Sequence, residues 1–385
     1  MNRVDIETFL LLCLRSEDSE QCRLQFNQWL MEQAIDWDEV VNYALVARIG
    51  SLLHPLLRSR EQVPAPVKRK LYEAYMDMAS FHLLLRHELE RVAVVLEENG
   101  IDTLLLKGLA LSATIYRPTQ LRSLGDIDLL IRRSDVAKVT AHLVALGYEL
   151  VTIPLYEGYT VRYENEMVWQ KTINNTTVWL ELHWSLFNSP YYQQQLDMGW
   201  WWETAVFTKI NDHAIKILSP EAQMIYLSAH LWLHHAGEGL WWWYDLMRLL
   251  TVYELDWDVV VKASQRQKLI LPWQKVIKKL REHWPDLVAN VPDTLIDNDL
   301  VSEQEKVMFK EWSQIDLPVI RRFWRDIWGV PGWGNRVLFM LMNLFPSITY
   351  MRERYRLQSN GIVLFYYPYR WFKELFMFLG VGDKE

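Results

Sequence analysis

At 385 residues, of which 50% are hydrophobic, the chain is long enough for two or three domains and can bury a large core. Its formal net charge of −7 excludes a protein built to coat DNA or RNA, because neutralising phosphates requires a basic face. Two cysteines, Cys13 and Cys22, exclude a disulfide framework and fit a reducing, cytoplasmic setting; the acid-bearing N-terminal stretch is not read as a secretory leader, and no apolar run reaches the length of a transmembrane segment.

Residues 1–100 read as a helical region. Asp36 can cap a helix whose third position is Glu39, a capping-box-like pair, and Gly50 is the expected stop. Pro64 and Pro66 break the chain, and residues 67–99 then read as one long amphipathic helix ending at Gly100.

Residues 101–212 hold the strand-like runs. A short strand over 101–106 leads into Lys107-Gly108 and a short helix over 109–116. A glycine at a strand-to-helix turn exposes backbone N–H groups to an anion, and the helix N-terminus adds partial positive charge. Lys107 can then place its ammonium beside a phosphate, and Arg117 and Arg122 on the following connector can do likewise. Gly125 leads into the apolar run 126–131, which reads as a buried strand carrying Asp126 and Asp128. Strand alternation puts both carboxylates on one face, about 6–7 Å apart. Two such acids resist joint ionisation unless a cation lies between them, and hard oxygen ligands suit Mg²⁺ or Mn²⁺ shared with phosphates. Alone, Asp-x-Asp is most often a turn or a cap, and Lys-Gly is weaker still; in this order, each on an apolar run, they point together to a metal and triphosphate site.

Further on, Ser134 is expected to cap a helix over 135–146 that stops at Gly147. Residues 161–172 and 177–186 read as a hairpin turning at Asn174-Asn175. In the second strand Val178, Leu180 and Leu182 share one face, and Trp179, Glu181 and His183 the other.

Residues 213–385 read as helical again. Ser219-Pro220-Glu221 is a strong helix start. The helix carries His230 and His234 on one face with His235 beside them; without an HExxH pattern, structural or nucleotide-contacting roles are favoured over a metal site. Asp256 repeats the capping solution of Asp36. Tryptophan triplets at 200–202 and 241–243 read mainly as core. After Asp316 come an arginine-aromatic stretch over 321–328, a break around Pro331, and an aromatic tail over 361–382 that reads as a buried helix rather than a membrane contact.

Segment 101–148 resembles the uncharacterised bacterial nucleotidyltransferases of the polymerase-β-like superfamily. Their pattern is an apolar strand, Lys-Gly, a small helix ending near a Tyr, an Arg, Asp-Ile-Asp-Leu-Leu-hydrophobic, and a helix ending in Gly-Tyr. The matching residues are Lys107-Gly108, Tyr116, Arg122, the run from Asp126 through Ile131, and Gly147-Tyr148. The Lys-Gly also resembles the Lys-Gly-Gly of abortive-infection toxin nucleotidyltransferases, with Leu109 in place of the second glycine. The resemblance implies a third acid from a later strand, which points to Glu181 as partner of Asp126 and Asp128 on the metal, and to a Glu-x-His-Trp pattern, met by Glu181, His183 and Trp184. Lys107, Gly108, Arg122 and His183 are then the nucleotide-binding candidates. The blander reading has Glu181 and His183 lining a solvated sheet face, or His183 capping a buried carboxylate. The resemblance extends over most of the chain, matching Trp243 and Asp245 as well, but its specific motifs lie in 101–186.

The fold class expected is α+β, mostly α: a small mixed-sheet nucleotidyltransferase core flanked by N-terminal and C-terminal helical regions. The function implied is Mg²⁺- or Mn²⁺-dependent transfer of a nucleoside monophosphate from an NTP to a small-molecule, peptide or RNA acceptor. Two alternatives stand beside it: a catalytically inactive nucleotide-binding or scaffold protein, and a toxin-like nucleotidyltransferase acting on tRNA.

Overall fold

The strands are β1 (Thr103–Leu105), β2 (Asp126–Ile131), β3 (Glu149–Leu150), β4 (Glu166–Ile173), β5 (Thr176–His183), β6 (Val206–Ile210) and β7 (His213–Ile217). They join in one sheet ordered β3-β4-β5-β2-β1-β7-β6, in which β2–β5 and β1–β7 run parallel and all other neighbours antiparallel. The computed structural model describes residues 3–32, 35–296, 300–314 and 317–378, most of them helical.

Strand alternation divides β2 between two cores. Ile127, Leu129 and Ile131 join Val178, Leu180 and Leu182 of β5 beneath Leu85, Leu89 and Val92 of the long helix Ala65–Glu98 and Val139 and Leu143 of helix Val136–Ala145. Leu130 and Leu104 point the other way, into a larger core that takes Phe9 and Phe26 from the N-terminal helices and Tyr226 and Trp273 from the C-terminal ones. The helices before and after the sheet therefore close over its second face together. The sheet also runs past residue 212, because β7 pairs with β1 through Leu104 and Leu105.

Much of the local punctuation is as the sequence reads. The Asp36 carboxylate accepts the Glu39 N–H at 3.0 Å, and Asp256 caps its helix in the same way. Ser219 accepts from the Ala222 N–H. The β4–β5 hairpin turns at Asn174 and Asn175, both left-handed, as a tight turn matching strand twist requires.

Four expectations are corrected. Gly50 does not end a helix. The chain reverses at Arg48 (φ 58°), and Gly50 opens the helix Gly50–Leu57, where a Cβ would lie 2.7 Å from Leu45 Cδ2. Ser134 lies in a 3₁₀ turn, and helix Val136–Ala145 begins without a side-chain cap. Tyr159–Tyr163 is helical and the strand starts only at Glu166, because Tyr159 and Tyr163 pack on Phe339 of a distant helix. The aromatic tail is a helix, Asn360–Phe378, and over 360–373 it is not buried: Val363 alone among those residues has a fully covered side chain. Asp316 and residues 379–385 lie outside the described residues.

One buried ion pair ties the C-terminal helices to the sheet's connector. Arg122 donates from Nε and Nη2 to Asp245 at 2.9 and 2.8 Å, and the Tyr116 hydroxyl donates to the same carboxylate at 2.7 Å. Asp245 lies on helix Leu240–Val252, and both charged residues are buried. The His82 Nε2–H donates to the Arg122 carbonyl, bringing in the long helix. Removing one partner strands the other charge in the core, so Asp245→Leu and Arg122→Met should each lower stability by about 3–5 kcal/mol in urea unfolding. The double variant should cost clearly less than the sum of the two; strict additivity would show that the pair is not coupled.

Candidate active site

The parallel pairing of β2 with β5 sets Asp128 directly beside Glu181, and Leu130 beside His183. On the other side of β5, antiparallel β4 sets Glu166 beside His183. These neighbours face the helical shell. Lys107, at the end of β1, reaches the same spot because it takes a left-handed backbone (φ 44°) and opens helix Lys107–Ile115. That conformation is uncommon for a side-chain-bearing residue and turns the lysine towards the carboxylates.

The polar contacts form one network. Lys107 Nζ donates to Asp128 Oδ1 at 2.7 Å and to Glu181 Oε2 at 3.2 Å. His183 Nε2 lies 3.0 Å from Asp128 Oδ1 and 3.3 Å from Glu181 Oε2, while Nδ1 makes a 2.9 Å ion-pair contact with Glu166, off the line of a good hydrogen bond. Three carboxylates thus surround two cations. One ligand atom each from Asp128, Glu181 and His183 lie within 4.8 Å of one another. The Glu181 and Glu166 side chains keep 24% and 30% of their surface exposed, against 1% for Asp128 and 2% for His183, so these two glutamates form the open edge of the cluster.

Burial opposes the charge on His183, but Glu166 and Asp128 outweigh it and hold the imidazolium well above its ordinary range. Burial likewise opposes the Lys107 charge, and the Asp128 and Glu181 carboxylates reverse it. Glu181 is driven upward by burial, yet the His183 hydrogen bond and the Lys107 charge bring it well below the usual carboxylate range. Asp126 has no such partner at hand. Burial first, then repulsion from Asp128 and Glu181, pushes its carboxyl up to about 7. Two neighbouring acids with opposed protonation tendencies mark a site where negative charge is concentrated beyond what its own cations balance.

The residues that the sequence singles out fare differently. Asp126, Asp128, Glu181, Lys107 and His183 are brought together. Lys107 meets carboxylates, however, and His183 braces Asp128 from a fully buried position, which is the carboxylate-capping reading. Arg122 is not directed at the cluster; Asp245 holds its guanidinium. Gly108 is buried with its α-carbon against that guanidinium, since a Cβ there would lie 2.9 Å from Arg122 Nη1 and from Leu124 Cδ2. Leu109 belongs to the core beneath the sheet, which accounts for a leucine where the toxin-like pattern has glycine.

Three residues escaped the sequence reading. Arg48, from the N-terminal helices, is exposed; it donates from Nη2 to the Leu124 carbonyl at 2.9 Å, lies 4.6 Å over the Trp241 ring, and feels the charge of Asp126. Tyr226 is buried with its hydroxyl unpartnered, in the field of Lys107, Asp128, Glu166 and Glu181. Glu166 holds His183. Only Arg48 carries a local sign, the need for a reversal between two helices; the others come to the site through sheet register and helix packing.

His230, His234 and His235 sit behind the cluster. His230 stacks on His234 at 4.7 Å, and His235 stacks on Trp242 at 4.9 Å. Burial, then mutual repulsion and the Lys107 charge, keep them neutral, with His234 lowered to about 4. A cavity of about 250 Å³ runs from His234 and Phe187 towards Arg325 and Asp326.

A family model described as uncharacterised nucleotidyltransferase matches residues 33–284, which contain every residue of this cluster. The chain belongs to that nucleotidyltransferase family. No curated protein matches it. Among solved structures it is similar to an antigenic nucleotidyltransferase-like protein from Paracoccidioides brasiliensis, at 18% identity over 53% of this chain and 90% of that one; the TM-score of 0.37 is too low for the likeness to carry an argument. Family membership supports a transferase, and the matched span joins the N-terminal helices to the sheet and the histidine helix, the same elements that build the cluster.

The histidines give the apo protein a pH signature. His82 and His234 are each lowered to about 4 in the fold, chiefly by burial, against an ordinary 6.5. At these two sites the unfolded chain binds more protons between those values, so their contribution to stability falls as pH drops from about 6.5 to about 4, opposed by Asp126, which the fold protonates first. The loss should be on the order of a few kcal/mol in urea titrations, and His82→Gln, which can still donate to the Arg122 carbonyl, should flatten part of it. An unchanged slope in that variant would contradict the assignment.

Proposed function

We propose that the protein is a divalent-metal-dependent nucleotidyltransferase that moves a nucleoside monophosphate from an NTP to an acceptor hydroxyl, releasing pyrophosphate. The observation that carries this reading is the Asp128–Glu181 pair, set side by side on β2 and β5 with a cation between their oxygens at 2.7 and 3.2 Å. An oxygen set already arranged around one positive charge fits another. Asp128 and Glu181, with Asp126 at the rim, would hold Mg²⁺ or Mn²⁺, and such an ion supplies Lewis-acid stabilisation of the α-phosphate and a more acidic acceptor hydroxyl.

The chain's own groups account for the remainder. His183, protonated between Asp128 and Glu166, fixes the Asp128 carboxylate. Lys107, once released from the carboxylates, stands beside the triphosphate and meets the charge of the leaving pyrophosphate. Arg48 offers an exposed guanidinium on the Asp126 side for the outer phosphates. Glu181, at the open edge, orients the acceptor hydroxyl. The new bond forms from that oxygen to the α-phosphorus as the α–β bridging bond breaks, the hydroxyl proton leaving to water at the open edge and the electron pair to the pyrophosphate. The acceptor enters by the cavity beside His234, whose charge state depends on Lys107, Glu166 and His183.

A second reading rests on the same contacts. Lys107 and His183 together neutralise Asp128 and Glu181 without a metal, which suits a protein that binds nucleotide without turning it over. Radiolabelled NTPs with Mg²⁺ or Mn²⁺ and a pool of metabolites, peptides and tRNA separate the two. The transferase reading expects label transfer, reduced about 100-fold or more in Asp128→Asn and Glu181→Gln. Metal-dependent NTP binding with no transfer to any acceptor selects the second, and transfer that persists in Asp126→Asn/Asp128→Asn rejects the site. Arg48→Met should weaken NTP binding about tenfold or more, as loss of a charge-assisted phosphate contact does, beyond what any lowering of the unfolding midpoint from its lost Leu124 contact accounts for.

A further inference from the structure

The C-terminal helices carry a second feature that the catalytic cluster does not use. Helix Val319–Gly329 packs Phe323 and Ile327 inward beside Phe339, leaving Trp324 and Trp328 outside. Helix Trp333–Leu344 continues the outward line: Trp333, Val337, Leu341 and, just past its end, Phe345 recur every four residues, and all are exposed. Trp328 meets Trp333 at 6.4 Å, and Phe345 meets Trp371 at 5.2 Å, so the line is continuous with helix Asn360–Phe378. That last helix adds Phe365 and Phe372, 79% and 59% exposed. A stripe this long on a water-soluble surface marks an interaction face.

The charge around it is equally uneven. Residues 317–378 hold nine Arg or Lys against three Asp or Glu, in a chain whose formal net charge is −7. Arg336 lies 5.2 Å over Trp328 and 5.8 Å over Trp333, within the stripe itself, and Arg352 and Arg354 of helix Ile348–Tyr355, with Arg356 at its C-cap, are exposed. We propose that this face docks the protein onto an anionic membrane surface, with the tryptophans and phenylalanines entering the headgroup boundary and the arginines meeting lipid phosphates.

Charge and residue type together select that partner. A second copy of the same face would set two positive patches against each other. A nucleic acid would suit the arginines and tryptophans, but Val337, Leu341, Ile362 and Leu364 present no ring for a base to stack on, and hydrocarbon covers them best. No described helix is long and apolar enough to cross a membrane, so the contact proposed is peripheral. It stands independently of the nucleotidyl-transfer reading.

Flotation of the full chain with phosphatidylcholine vesicles, with and without phosphatidylglycerol, tests it. The expected result is binding to the phosphatidylglycerol vesicles that weakens as salt is raised, with little binding to phosphatidylcholine alone. Trp328→Ser combined with Phe365→Ser should reduce it at least about tenfold, while circular dichroism stays unchanged because both side chains lie outside. Arg354→Glu, which leaves the apolar stripe whole, should weaken it and lessen its salt dependence. Failure to bind phosphatidylglycerol vesicles overturns the proposal. So does binding of poly(U) in place of vesicles, or a dimer in light scattering that the Trp328/Phe365 variant returns to monomer.

Discussion

The structure depends on how it pays the electrostatic cost of burying carboxylates on one face of a sheet. Asp128 and Glu181 are nearest neighbours across a parallel strand pair, Glu166 lies one strand further, and Asp126 one step along. Left alone, such a group would protonate or unfold. Lys107 and His183 are the answer, and each is placed by a different device: a left-handed residue at a strand end, and the alternation of β5. Asp126, least well served, is the acid driven upward. The site is therefore organised around a deficit of positive charge, which is the condition under which a divalent cation binds well.

The rest of the fold maintains that condition. Lys107, Asp128 and His183 are buried because helices from both ends of the chain close over the second face of the sheet and share one core. The Arg122–Asp245 pair, with Tyr116 and His82, fastens those helices to the connector between Gly108 and Asp126. Gly108 has no room for a methyl because Arg122 passes over it. An arginine that looks, in sequence, like a phosphate ligand instead fixes the geometry of the segment that leads to Asp126 and Asp128. Replacement of water by neutral histidines and aromatic rings behind the cluster keeps the local dielectric low and the network strong.

The chain also separates its charges by region. Acidic character dominates overall, while the last helices are basic and outwardly aromatic. The buried carboxylate cluster and the basic apolar face thus lie on different elements, the first on β2 and β5 of the sheet and the second on the helices after residue 318. Arg325 and Asp326 of helix Val319–Gly329 line the histidine cavity, and the same helix carries Trp324 and Trp328 of the outward face.

The sequence by itself determined the α+β class, the strands β1, β2 and β5 with the faces of the last two, the Asp-x-Asp, the Lys-Gly turn, the Asn174-Asn175 hairpin and the Asp36, Asp256 and Ser219 caps, because these follow from periodicity and from hydrogen bonds within a few residues. It named Glu181 through a resemblance, and alternation alone placed it on one face with His183. Only the tertiary structure decided what those residues touch. That Glu181 stands beside Asp128 depends on β5 pairing with β2 in parallel and in this register. That Arg122 meets Asp245, 123 positions away, that Arg48 reaches the Leu124 carbonyl, and that the tail's aromatics stay outside are consequences of long-range packing. A side chain's chemistry is local, but its partner is chosen by which distant surfaces the apolar cores bring together.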